Sequence, residues 1–126
     1  MSDSLRRLYE AVRESRNSDP SVSRTARLLR AGPAKISKKV AEEAVEVALA
    51  AMANDRKEVV RESADLLYNL VVLWVQAGVP PKDVWAEMER REKLLGIAEK
   101  LPKIPAPKSV PQIERLAARK RRQHAR

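Results

Sequence analysis

The sequence predicts an all-α protein, an antiparallel bundle of about five helices, and three observations carry that prediction. Apolar residues recur three and four positions apart over most of the first hundred residues. Aromatic residues are scarce: Tyr9, Tyr68, Trp74 and Trp85, with no Phe. The core must therefore be aliphatic, which suits packed helices better than a sandwich of short strands. Finally, strong punctuation at Asn17-Ser18-Asp19-Pro20, Gly32-Pro33, Asn54-Asp55 and Gly78 cuts the chain into helix-sized lengths.

The first helix is expected over about 4–16, where Leu5, Leu8 and Val12 fall on one side. A short second helix follows over 22–30. Pro33 suits the first turn of a third, over 34–53, because its missing N–H has no helical partner there. Its apolar stripe is Ile36, Val40, Ala44, Val47 and Ala51. Asn54-Asp55 is a tight connection whose side chains can cap a fourth helix over 56–77. Gly78 ends that helix, and Pro80-Pro81 opens a fifth over 81–93 or slightly beyond.

The fourth helix carries Leu66, Leu67, Leu70, Val71, Val72, Leu73, Trp74 and Val75 around nearly its whole circumference. A helix of that kind is surrounded by protein. About 100 residues supply little with which to surround it, so the bundle is expected to be completed by a homodimer, with this helix near the interface.

Composition excludes much chemistry. There is no Cys, and the one histidine is His124. Disulfides, thiol nucleophiles and zinc fingers are out, and acid–base or metal chemistry must rest on Asp, Glu, Lys, Tyr or Asn. Oxygen ligands favour the hard cations magnesium, manganese or calcium. Neither a membrane-spanning run nor a signal-peptide core is evident, so a cytoplasmic protein is the expectation.

The net charge of +9 is uneven. Residues 103–126 hold eight basic side chains against Glu114 alone, whereas 1–102 are nearly neutral. Pro102, Pro105, Pro107 and Pro111 favour an extended linker there. The expected organisation is thus a helical domain over 1–102 and a flexible basic tail over 103–126. The tail is read as a solubilising extension and not a nucleic-acid binder, since no aromatic residues are interleaved for base stacking.

Two acidic clusters stand out. At about 100° per residue, Glu62, Asp65 and Asn69 share a sector some 60° wide on the otherwise apolar fourth helix. Ionised carboxylates in such a setting are costly without a cation. On the third helix Glu43 lies at the edge of the apolar stripe, with Glu46 and Glu42 continuing outward. Antiparallel packing across Asn54-Asp55 brings the sectors face to face, and four or five carboxylates converging there make one octahedral oxygen site for a divalent metal, or two. The competing interpretation of Lys38–Glu42 and Lys39–Glu43 is simple helix pairing.

Glu-Glu-x-x-Glu followed by Glu-x-x-Asp on the next helix resembles the signature of the all-α, MazG-like pyrophosphohydrolases. Within them, the stretches Ser23–Leu29, Lys35–Val47, Glu62–Leu70 and Asp83–Arg91 resemble the phosphoribosyl-ATP pyrophosphohydrolases of histidine biosynthesis. The resemblance covers about residues 4–100. It implies magnesium-dependent hydrolysis of 1-(5-phosphoribosyl)-ATP to the AMP form and pyrophosphate, in a dimer. It implies that Glu42, Glu43, Glu46, Glu62 and Asp65 bind metal, with Glu43 or Glu46 orienting the attacking water. Lys35, Lys38 and Lys39 are the expected phosphate contacts, and Thr25 and Asn69 are candidate substrate contacts. Two positions depart from the pattern: Ala41 stands where many relatives have glycine, and Asn69 where many have histidine. Two alternatives remain open, a housecleaning pyrophosphohydrolase of other nucleoside triphosphates and a non-catalytic paralogue binding nucleic acid or protein through its tail.

Overall fold

A computed structural model describes residues 3–98, and these form five α-helices without a strand. The basic tail expected over 103–126 lies outside the described residues. Helix α1 spans Ser4–Glu14, α2 Arg24–Ala31, α3 Pro33–Met52, α4 Arg56–Ala77 and α5 Pro81–Ala98.

The helix ends follow from local chemistry. The first helix tightens after Glu14 into a 3-10 turn, Ser15–Asn17, two residues short of the expected α-helical end. Helix α2 begins later than expected because Ser23 caps it, its hydroxyl accepting from the Ala26 N–H at 3.1 Å. Val22 is left outside, 83% exposed. Pro33 occupies the first turn of α3, as anticipated. Asn54 turns the chain with φ of 56°, and the Asp55 side chain then caps α4 through the Glu58 N–H at 3.1 Å. Gly78 closes α4 in the left-handed conformation (φ 71°) that a side chain would resist. The fifth helix runs five residues beyond 93.

By packing, the chain divides into Met1–Ala86 and Glu87–Arg126. Within the first unit α3 and α4 form a hairpin and make the most extensive contact, while α1 packs against α4. Tyr9 and Val12 from α1, Leu28 from α2, Ile36 from α3, and Val71, Val72 and Val75 from α4 form the core. Arg16 donates from its guanidinium to the Val75 carbonyl at 2.8 Å, fastening the 3-10 turn to the last turns of α4. Trp74 and Trp85 meet edge to face with centroids 6.2 Å apart. In the second unit Glu87 holds both Arg90 and Arg91, which lower its pKa to about 2.

The core occupies the C-terminal half of α4, and the N-terminal half is much less covered. Val60 is 63% exposed and Leu67 42%. The apolar circumference expected to be enclosed is therefore enclosed only from about Tyr68 onward within one chain. On α3, Ile36 is fully buried and Val40 and Val47 are half-buried, but Ala44 and Ala51 are exposed. A second apolar stripe, Val45, Leu49 and Met52, faces solvent on the other side of α3. Among the described residues no helix is long and apolar enough to cross a membrane.

Candidate metal centre

The α3–α4 hairpin brings the two acidic clusters together. One carboxylate oxygen each from Glu43, Glu62 and Asp65 lies within 4.8 Å of the others. Glu43 comes from the middle of α3, while Glu62 and Asp65 come from adjacent turns of α4, three residues apart and on one face. Oε2 of Glu43 and Oε2 of Glu62 are both shielded from solvent and accept no hydrogen bond. Buried acceptors of that kind need a proton or a cation.

The electrostatics show the same need. Glu62 has its pKa pushed up to about 7 from an ordinary 4.5. The main cause is hydrogen bonding of its protonated form with Glu46 and then Glu43, reinforced by burial and by the charges of both. Glu43 is raised as well, first by burial and then by its neighbours Glu46 and Asp65, while a bond with Glu62 opposes the shift. The carboxylates therefore behave as a group that holds a proton in the absence of metal.

Between 4.5 and about 7 the folded chain keeps a proton on Glu62 that the unfolded chain has released, so stability falls as pH rises through that window and levels off above it. The metal-free protein should thus show a higher urea midpoint at pH 5.5 than at pH 8. An equal or higher midpoint at pH 8 would remove this account of Glu62.

The remaining expected site residues divide into three groups. Glu46 is exposed, but it adjoins Glu62 and extends the cluster. Glu42 points to solvent and sits 3.8 Å from Lys38, outside the converging group. Lys35 is exposed and Lys39 half-buried. Helical geometry sets these two in the sector of Glu46 and Glu43, and Lys38 nearer the outer stripe. Thr25 shares a hydrogen bond with the Tyr68 hydroxyl, linking α2 to α4. Asn69 is buried, and its amide donates to the Asp65 carbonyl at 2.8 Å.

A shallow depression of about 320 Å³ runs from Glu46 and Glu62 toward the α3–α4 turn, lined also by Leu49, Ala50, Ala53, Asp55 and Glu58. These lining residues escaped the sequence analysis. Their signal was present in Leu49 and Ala53, which lie three and seven residues after Glu46 on neighbouring turns. A cluster of three convergent carboxylates beside an open groove can hold a divalent cation and admit a phosphorylated ligand.

The sequence matches the family model described as phosphoribosyl-ATP pyrophosphohydrolase over residues 5–92. It is 65% identical over 103 residues to phosphoribosyl-ATP pyrophosphatase 2 of Rhodopseudomonas palustris, covering 82% of this chain and 79% of the relative. It is 66% identical over 103 residues to the protein of that name from Bradyrhizobium diazoefficiens, with 82% and 77% covered. The phosphoribosyl-ATP pyrophosphatase of Gluconobacter oxydans is 54% identical over 96 residues, with 76% and 72% covered. The α3–α4 hairpin that gathers the carboxylates lies wholly inside the matched region, and the chain belongs to the phosphoribosyl-ATP pyrophosphohydrolase family.

Proposed function

We propose that the chain hydrolyses 1-(5-phosphoribosyl)-ATP to 1-(5-phosphoribosyl)-AMP and pyrophosphate, a step of histidine biosynthesis in the cytoplasm. The observation that carries the proposal is the convergence of Glu43, Glu62 and Asp65, two of them with shielded oxygens lacking a donor, in a member of this family. In the reaction water adds across the anhydride between the α- and β-phosphoryl groups. That bond breaks, and pyrophosphate departs.

Glu43, Glu46, Glu62 and Asp65 are the residues suited to hold magnesium, with manganese as a substitute. When bound, such a cation offsets the triphosphate charge and stabilises charge building on the departing pyrophosphate. The protein's own part is to place the reactants. Glu46, exposed and lining the depression, is in this proposal the carboxylate that accepts a proton from the attacking water, with Glu43 as the other candidate. Lys39 and Lys35 share its sector of α3 and can meet phosphate oxygens as point charges, whereas Lys38 is engaged by Glu42. Thr25 and Asn69 already spend their polar groups on Tyr68 and Asp65, which favours structural roles for both.

The functional unit in this proposal is a homodimer. Val45, Leu49, Met52, Val60 and Leu67 are all large, apolar and more than 40% exposed. Val45, Leu49 and Met52 form one stripe on α3, Val60 and Leu67 lie on the face of α4 away from Glu62 and Asp65, and a second copy would cover them.

The deciding assay compares pyrophosphate release from phosphoribosyl-ATP and from the common deoxynucleoside triphosphates, with magnesium and with a chelator. Phosphoribosyl-ATP is expected to turn over fastest and only with metal. Full activity in chelator would remove the metal proposal, and preference for deoxynucleotides would move the chain to a housecleaning role.

A further inference from the structure

Among the described residues Asn69 is the one polar side chain buried with the core, at 5% exposure. It sits one turn after Asp65, on the face of α4 that carries the carboxylates. Burying an amide is costly unless its hydrogen bonds are made. Its Nδ2 donates to the Asp65 carbonyl. That carbonyl already faces the backbone N–H of residue 69 in the helical ladder, so the extra bond adds little to the satisfaction of the helix. Leucine, with the same branching, would fill the space without a polar group to satisfy.

What the bond does is local. Side chains that bond back to the carbonyl four residues earlier, as Ser and Thr do, compete with the ladder and often adjust the local turn. The turn affected is the one that bears Asp65, whose carboxylate must meet Glu43 and Glu62. Tyr68 holds the same turn from the other side, through the Thr25 hydroxyl on α2.

We propose that Asn69 is a positioning residue, whose bond to the Asp65 carbonyl sets the backbone so that the Asp65 carboxylate joins those of Glu43 and Glu62. The proposal rests on the cation-binding role of that cluster. Asn69 acts through Asp65 and touches no reacting atom.

The test is a calorimetric titration of Mn²⁺ into the metal-free, full-length chain. Asn69→Leu removes the donor and keeps the shape. Asn69→Thr keeps a hydroxyl able to reach the same carbonyl, and its isostere Asn69→Val does not. Asn69→Leu should melt at or above the wild-type temperature yet bind Mn²⁺ about 10-fold more weakly. Asn69→Thr should bind more tightly than Asn69→Val by a similar factor, a comparison that stands even if the leucine variant folds poorly. Wild-type affinity in both Asn69→Leu and Asn69→Val overturns the positioning role. So does unchanged Mn²⁺ affinity with a raised KM for phosphoribosyl-ATP, which would make Asn69 a substrate contact. Failure of the wild-type chain itself to bind Mn²⁺ overturns the metal site and the positioning role together.

Discussion

Glu62→Gln is expected to lower pyrophosphate release from phosphoribosyl-ATP by on the order of 100-fold or more at saturating magnesium, with the helical fold intact. Glutamine keeps the size of the side chain and removes its charge. The neutral amide is a poor ligand for a hard cation. It also supplies a donor that can bond Glu46 or Glu43, the two carboxylates that now raise the Glu62 pKa. The same substitution should therefore raise the urea midpoint of the metal-free protein at pH 8, where the ionised group otherwise repels its neighbours. Opposite changes in stability and activity distinguish a lost ligand from a damaged fold. Activity within about threefold of the parent, or a loss matched by unfolding, would contradict the assignment.

Introducing charge at two exposed apolar positions, Met52→Glu with Val60→Glu, should convert the proposed dimer to a monomer. Met52 is 82% exposed and Val60 63%, so neither substitution disturbs the core of one chain. In a dimer that covers them, each glutamate would be desolvated without a partner. A penalty of about 2 kcal/mol per charge, applied four times across a two-fold interface, weakens association by on the order of 10⁵- to 10⁶-fold. Light scattering should report a mass near twice 14.2 kDa for the parent and near 14.2 kDa for the variant. A monomeric parent, or a variant that remains a dimer, would show that these stripes are not the interface.

Most of the fold was legible because its punctuation is strong. Pro33, Asp55 and Gly78 each do in the structure what their chemistry requires. The beginning of α2 was less clear, since Val22 continues the apolar pattern while Ser23 supplies the cap, and the cap decided the boundary. The pairing of Glu43 with Glu62 and Asp65 was visible because helical angles and a short turn fix which residues face each other. The sequence motif treats Glu42 and Glu43 alike, but Glu42 lies 3.8 Å from Lys38 while Glu43 joins Glu62 and Asp65. Two features were hidden for physical reasons. The second apolar stripe of α3 was masked by the stronger stripe through Ile36, because a helix with two apolar sides shows weak amphipathicity. The bond from Asn69 to Asp65 depends on a rotamer, which spacing alone does not specify.

The placement of the aliphatic core along α4 has an evolutionary consequence. Val71, Val72 and Val75 stabilise the fold near one end of the helix, and Glu62 and Asp65 stand two to three turns before them. Substitutions around the carboxylates therefore remove little apolar packing, and most of them should leave the margin of folding stability intact. Such a division lets selection explore new substrates at one end of a helix while the other end keeps the chain foldable. A lineage built this way can change its chemistry in small steps without first acquiring compensating mutations in the core.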